Sequence, residues 1–400
     1  MGNFADPGRD EELKVSLLTG GGDKPYALGL LGALISRGIT VDFIGNDDMG
    51  SAEIVAQEKV IFHNLRGDQN PAASVVEKIG RILLYYWRLL KYARTTDSTL
   101  FHILWLNKFF LFDRTLLNVY YKLLGKKLVF TAHNIDEKER DGGNHFLNRL
   151  TLRMLYALLD HIFVHTTKMK SQLIREFKVE EDKVTVIPFG INNTVPTSPL
   201  TKAEARAELQ LRDHEKVLLF FGNVAPYKGL EYIIDAVARL KNKDDTFRLI
   251  IAGRIKDCQP YWERIQRAIE NHRLGHYIIR KIEYIPDEEV EMFFKSSDVL
   301  VLPYKFIYQS GVLFLSYSFG LPVIASDVGS LREEIIEGET GFICKPEDPQ
   351  DLSEKIDLYF KSDLFKNLEK KRKSIMEYAN ERYSWDKVGQ ITHGVYQAFL

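Results

Sequence analysis

Three loops in this 400-residue chain carry the residue types that phosphate chemistry asks for. The first is Thr19-Gly20-Gly21-Gly22-Asp23-Lys24-Pro25, directly after an apolar stretch. Three glycines let a backbone approach a ligand closely, and a following helix offers amides and a positive dipole end to an anion. The spacing is not the dinucleotide fingerprint, so the same residues also suit a plain tight turn. The second loop is Phe221-Gly222-Asn223-Val224-Ala225-Pro226-Tyr227-Lys228-Gly229. Lys228 stands at the mouth of a helix, where its ammonium would add to the dipole field on a diphosphate; the alternative is a solvated lysine beside a turn. The third runs from Pro303-Tyr304 through Gln309-Ser310-Gly311-Val312-Leu313. Ser310 is the expected N-cap of an apolar helix, and the amides around Gly311 form a ready anion site.

Other chemistries find less support. No carboxylate pair has the spacing of a glycosidase acid and base. Asp47-Asp48 is adjacent rather than Asp-x-Asp and reads as a solvated turn. The only cysteines, Cys258 and Cys344, are far apart, which argues against a thiolate metal site or a disulfide framework and fits a reducing compartment. His133, at a strand end, is either a ligand contact or a satisfied core histidine.

The elements that must position these loops alternate short apolar runs with amphipathic stretches, the pattern of α/β proteins with parallel sheets. Strands are expected at 15–18, 40–44, 100–104, 128–131, 161–164 and 184–187, then at 217–221, 248–252, 279–284, 299–302, 322–325 and 341–344. Leu230, Ile233, Ile234, Val237 and Leu240 form one buried helical stripe. The pattern restarts after a polar segment at 192–211. This gives two doubly wound, Rossmann-like domains joined near residue 195 and facing a cleft. Doubly wound sheets bind ligands at the carboxyl ends of their strands.

With 45% hydrophobic and 27% charged residues the chain is globular, and a net charge of −1 gives no global attraction to nucleic acid. The polar, acidic start is unlike a signal peptide, and no apolar run reaches the roughly 18 residues of a membrane span. A cytoplasmic protein is expected, at the inner face of the membrane if its surface binds lipid.

The motifs resemble the GT-B glycosyltransferases of the family-4 kind, the group 1 glycosyltransferases. The resemblance is carried by FFGNVAPYKGLEYIIDAVARL, IAGR, YIPDEEVEMFFKSSDVLVLPY, QSGVL, FGLPVIASDVGSLREEI and EGETGFIC across 217–352. TAHN at 131–134, VHTTKMKSQL and VIPFGIN extend it into the amino half. It implies a retaining transfer from a nucleotide diphosphate sugar, with a hexose the expected sugar, no cofactor and no bound metal. It also implies an acceptor-side domain of residues 1–195 and a donor-side domain of 196–379; Tyr383-Ser384-Trp385 resembles the closing segment that returns a last helix, 380–400, to the first domain. It assigns Lys228 to the donor diphosphate, with Gly222 and Asn223 beside it. Ser310, Gly311 and Val312 would hold the distal phosphate and Gln309 would make donor contacts. Gly20, Gly21 and Gly22 would lie beside the phosphates and the acceptor. His133 would contact the donor sugar, and Glu333 would act mainly in structure. Three departures stand out. Ile307 and Leu315 occupy the positions of the paired family glutamates, Asn223 and Ala225 that of a basic neighbour of Lys228, and Phe189 that of a frequent histidine. They leave room for a catalytically silent GT-B protein that binds nucleotide sugar or supports a partner enzyme. A nucleotide-sugar epimerase fits the 217–352 motifs less well.

Residues 78–127 hold ten Lys or Arg and two acids, with aromatics interleaved. Such a segment either lies on an anionic bilayer or is a set of core aromatics with a solvated cationic face. On the first reading a polyprenol-linked saccharide becomes the natural acceptor and polysaccharide assembly the natural pathway. Nucleic acid is the poorer partner, because the charge is local and no nucleic-acid motif is present.

Overall fold

The computed structural model describes residues 13–70, 72–107, 109–136, 146–191, 195–256 and 258–399. The chain forms two compact units, one of residues 1–190 with 385–400 and one of 191–384. The second unit is closed at its ends by a backbone bond, Ile191 N–H donating to the Tyr383 carbonyl at 2.9 Å. The chain therefore changes unit a few residues away from the expected boundaries at 195 and 379.

The first unit is built on seven parallel strands, β1 (Lys14–Leu18), β2 (Thr40–Gly45), β3 (Val60–Asn64), β4 (Leu100–Ile103), β5 (Lys127–Ala132), β6 (His161–Val164) and β7 (Val184–Val186). Their order is β3-β2-β1-β4-β5-β6-β7. The inner strands are nearly continuous buried apolar runs, as parallel strands covered on both faces must be. β3 was not expected from the sequence. It is an edge strand in which Val60 is buried but Ile61 is 44% exposed, so it presents no apolar run.

Helices α1 (Lys24–Ile35), α2 (Val75–Thr95), α3 (Phe110–Arg114), α4 (Leu116–Leu123) and α5 (Phe146–Leu158) belong to this unit. α2 starts with a capping box: Ser74 Oγ accepts from Glu77 N–H at 3.3 Å and Glu77 Oε2 accepts from Ser74 N–H at 2.8 Å.

The second unit has six parallel strands, β8 (Lys216–Phe221), β9 (Phe247–Ala252), β10 (Ile278–Lys281), β11 (Val299–Leu302), β12 (Val323–Ser326) and β13 (Gly341–Cys344). Their order is β10-β9-β8-β11-β12-β13. β10 stops short of the expected end, because Glu283 and Tyr284 are exposed. Helix α6 (Leu230–Leu240) buries the whole stripe of Leu230, Ile233, Ile234, Val237 and Leu240. α7 (Gly311–Ser318) follows β11, and α8 (Leu368–Tyr383) ends the unit. The last helix, α9 (Trp385–Gln397), packs on α1 in the first unit, with Val388 and Tyr396 fully buried.

Each sheet reverses its winding once, between β1 and β4 and between β8 and β11. A doubly wound sheet opens a crevice at the carboxyl ends of such a strand pair. The Gly20–Gly22 loop follows β1, the Lys228 loop follows β8, and the Ser310 loop follows β11. All three chemically suggestive loops thus emerge at a switch point.

Candidate active site

In the second unit the two loops converge. Lys228 ends a short 3-10 turn, Pro226–Lys228, and Gly229 then opens α6. Its Nζ lies 5.6 Å from the centre of the Tyr304 ring and 6.0 Å from that of Phe220. A Cβ at Gly222 would stand 2.9 Å from this Nζ and 3.6 Å from Val312 Cγ2, so Gly222, Lys228 and Val312 meet at one point. The Lys305 amide donates to the Tyr227 carbonyl at 2.8 Å and ties the loops together.

Lys228 is not at an open mouth: it is 6% exposed. Among the described residues it has no carboxylate or other acceptor partner, and Glu231, the nearest acid along the chain, is taken by Lys305 at 2.6 Å. Burial, with Lys256 adding repulsion, pushes the ammonium down to about 8. Lys256 is a cation the sequence reading missed. It follows β9, as does Arg254, whose Nε donates to Asn223 Oδ1 at 3.4 Å. The basic neighbour absent from the Lys228 loop thus comes from the next strand end.

Ser310 occupies the N-cap position of α7, but its side chain does not cap the helix; it lies 3.4 Å from the Tyr304 hydroxyl. With no side-chain cap, the Gly311 and Val312 amides that open α7 find no acceptor among the described residues, while the Leu313 N–H donates to the Ser310 carbonyl at 3.1 Å. Gln309 is more unusual, since both polar atoms of its carboxamide are buried with no hydrogen-bond partner among the described residues. An unsatisfied buried amide costs the fold about 1–3 kcal/mol, and at a ligand site the ligand supplies the partner. Glu333, expected to act in structure, is exposed; its neighbour Glu334 is buried and accepts from the Tyr383 hydroxyl. Leu315 is 7% exposed and packs into the unit.

In the first unit the glycine loop packs on Trp105, which follows β4. A Cβ at Gly20 would come within 2.0 Å of the Trp105 carbonyl oxygen, one at Gly22 within 2.0 Å of its ring, and one at Gly21 within 2.8 Å of the Arg66 guanidinium. The end of α1 is not an open anion site, because Asp23 Oδ1 already accepts from the Tyr26 N–H at 2.9 Å.

His133 is held in an aromatic cluster. Its ring stacks on Trp105 at 4.2 Å and 5°, meets Tyr26 edge-on at 4.7 Å, and its Nδ1 lies 3.1 Å from His165 Nε2. Burial, then His165 and His102, hold it well below the usual histidine range, so the imidazole is neutral at pH 7. Its Nε2 is buried and unpartnered among the described residues. Gly20, Gly21, Trp105 and His133 line a cavity of about 530 Å³, together with Arg66 and Arg114. No carboxylate stands among its described lining residues. Arg66 went unnoticed in sequence because it follows the unexpected β3; Trp105 was findable as a residue at a switch-point strand end.

The aromatics of 78–127 divide between inside and outside. Tyr85, Tyr86, Tyr92 and Tyr121 are buried, whereas Trp87, Phe109 and Phe110 are exposed. Among the described residues no helix is long and apolar enough to cross a membrane.

Comparison with known proteins follows the same division of the chain. The model described as glycosyl transferases group 1 matches residues 201–382, and that of glycosyltransferase family 4 matches residues 20–195. An uncharacterized glycosyltransferase of Methanocaldococcus jannaschii is 28% identical over 236 residues, 57% of each chain. D-inositol 3-phosphate glycosyltransferase of Corynebacterium efficiens is 27% identical over 237 residues, 56% of this chain and 54% of that one. The chain thus spans just over half the length of the curated relatives it matches. Among solved structures, sucrose-phosphate synthase of Thermosynechococcus elongatus superposes with a TM-score of 0.75 at 18% identity, covering 97% of this chain and 99% of that one. Anabaena HepE, solved with UDP, gives 0.72 at 16%, covering 97% and 100%. These likenesses carry the GT-B fold, and successive halves of the chain are similar to the group 1 and family 4 glycosyltransferase models.

Proposed function

We propose that this protein transfers a sugar, with retention of configuration, from a nucleotide diphosphate donor to a saccharide or polyprenol-linked saccharide in polysaccharide biosynthesis. The observation that carries the reading is Lys228, a buried ammonium without a counter-ion among the described residues, beside the open amides of α7. Cleaving a glycosyl phosphate bond leaves negative charge on the departing diphosphate, and fixed donors in a dry site stabilise that charge without reorganising. Gln309 and its QSGVL loop take over polar contacts to the donor where Ile307 and Leu315 replace glutamates. The neutral His133 Nε2 offers one hydrogen bond to a sugar hydroxyl. The two arginines of the first-unit cavity suit an acceptor bearing phosphate, as the inositol phosphate named for the corynebacterial relative does. A cytoplasmic location fits both substrates.

The test is release of nucleotide from UDP-, GDP- and ADP-sugars, with and without lipid-linked acceptors, in excess chelator. HepE was solved with UDP-glucose, which makes that donor the first to try. We expect acceptor-dependent release that chelation leaves intact. Complete loss on chelation, restored by manganese or magnesium, would show a carboxylate metal site in place of the lysine-and-amide one. The second reading is a silent nucleotide-sugar binder, favoured by Ile307 and Leu315. Donor binding without release across a broad acceptor panel would establish it.

A pH dependence follows from the lysine. The diphosphate binds the charged ammonium, whose free-protein value lies at about 8. UDP affinity is therefore expected to fall as pH rises above 8, by up to tenfold per pH unit, with proton uptake on binding. Isothermal titration in buffers of different ionisation heat reads both effects, and Lys228→Ala should abolish them. The unliganded fold responds in the opposite sense. A folded value below the unfolded 10.5 means that the cost of burial is fully present below pH 8 and is relieved as pH rises toward 10.5.

A further inference from the structure

We infer that the first unit docks on an anionic bilayer surface through one face built from α2, the α3–α4 segment and α5. Sixteen of the twenty-two exposed large hydrophobic side chains among the described residues fall between Val75 and Met154, on or beside these helices. Scattered singly they would mean nothing, but an apolar patch shared by adjoining helices marks an interaction site.

α2 shows the anomaly best. Its inner side buries Tyr85, Leu89, Tyr92 and Ala93. The opposite side carries Val76, Ile79, Leu83 and Trp87, which are 80%, 54%, 61% and 59% exposed. These four recur at helical spacing and form one stripe where a surface helix ordinarily turns charged residues to water. Leu111, Leu116 and Leu123 continue the apolar surface on the α3–α4 segment, and Phe146, Leu147 and Leu150 on α5.

The three parts adjoin. Tyr86 of α2 stacks on Phe109 at 5.5 Å, the Tyr120 hydroxyl donates to the Leu90 carbonyl at 3.2 Å, and α5 packs against both α3 and α4. The exposed surface is mostly aliphatic, and it reaches beyond the basic aromatic segment 78–127, from Val75 to Met154.

Charge identifies the occupant. Lys91 and Arg94 stand four and seven residues beyond Trp87, on the same face of α2, with Lys91 5.5 Å from the centre of the Trp87 ring. Arg88, Lys91, Arg94 and Arg153 of α5 have no acidic partner among the described residues. Among the described residues the acids nearby are engaged: Glu77 in the capping box, Asp97 with Lys14, and Asp113 with the Tyr86 hydroxyl. An apolar stripe edged by unneutralised cations matches an acyl boundary under anionic headgroups. A second copy of this face would bring the same cations against one another. Phe110 lies on this face and also lines the 530 Å³ cavity. On the transfer reading above, the face would therefore hold the acceptor cavity beside a lipid-linked substrate.

Flotation of the full chain with phosphatidylcholine vesicles, with and without phosphatidylglycerol, tests the face without reference to catalysis. Binding is expected on the anionic vesicles at low salt, with release as salt rises and little binding to phosphatidylcholine alone. Ile79→Asp combined with Leu83→Asp should lower partitioning by at least about tenfold. Lys91→Ala combined with Arg94→Ala should lower it by about fivefold for each cation. Because these side chains are exposed, the melting temperature and UDP binding should not change, which separates lost docking from lost folding. The proposal is overturned if anionic vesicles are not bound at low salt, or if the paired aspartates leave binding intact. It is also overturned if sedimentation shows a dimer that those aspartates dissolve, since the face then belongs to a second copy. A chain that floats normally but turns over no donor upholds the face and counts against the transfer reading alone.

Discussion

Lys228→Ala is expected to lower turnover about a hundredfold to a thousandfold while leaving the fold as stable as before. The first half follows from losing one fixed charge at the developing diphosphate, about 2.7–4 kcal/mol at the transition state. The second half is less obvious for a side chain that is only 6% exposed. Truncating a buried aliphatic side chain of that length costs about 2–5 kcal/mol. Lys228 is not aliphatic, however: holding its ammonium in a site where it ionises at about 8 costs the unliganded fold about 3 kcal/mol at neutral pH. Alanine removes that cost along with the contacts, so the two terms nearly cancel. Steady-state kinetics beside a thermal melt checks both halves. Near-normal turnover and donor affinity would remove the diphosphate from this position, whatever the melt shows.

Gly229→Ala should instead lose stability and activity together. Gly229 has φ +66°, and a Cβ there would stand 2.0 Å from the Pro303 carbonyl oxygen and 2.9 Å from the Tyr232 ring. The left-handed backbone alone costs alanine about 1–2 kcal/mol. The clash adds to this, because the Pro303 carbonyl it meets is backbone at the start of the loop that leads to Ser310. Relief requires the Lys228 and Ser310 loops to move apart. A loss of about 2–4 kcal/mol in urea unfolding is expected, with UDP affinity reduced more than tenfold. Gly338→Ala is the control. Its φ is +80° but nothing lies within 4 Å of the added methyl, so it should show the conformational cost and no change in UDP affinity.

Much of this could be read from the residues. The inner strands announced themselves as buried runs, and the α6 stripe was visible in Leu230, Ile233, Ile234, Val237 and Leu240. β3 stayed hidden because an edge strand needs only half its side chains inside, and Arg66 stayed hidden with it. The Lys228 and Ser310 loops were both legible, but the spacing implied the wrong surroundings for Lys228. Nothing within Pro226-Tyr227-Lys228-Gly229 indicates burial, because Phe220 and Tyr304, which enclose the ammonium, belong to β8 and to the segment after β11. Ser310 illustrates the same limit. Its type and place were those of a helix cap, yet its hydroxyl lies by Tyr304, six residues earlier, through a turn that local propensity does not encode. His133 fits neither simple alternative, since it is packed among aromatics and still keeps one nitrogen unsatisfied.

The position of α9 bears on how the chain is made. Tyr396 is fully buried in the first unit, where its hydroxyl bonds His102 Nδ1, and the Trp385 ring fills the space beside Gly29 and Gly190. These residues leave the ribosome only after all of 191–384. At about 5–20 residues per second, that interval is roughly 10–40 s. For that time the nascent first unit holds His102 and the groove on α1 without their partner, so the unit begun first is completed last. The second unit, made from one uninterrupted stretch, has no such wait. Chaperone dependence during synthesis should therefore track the amino-terminal half, even though its sheet is complete before the other has begun.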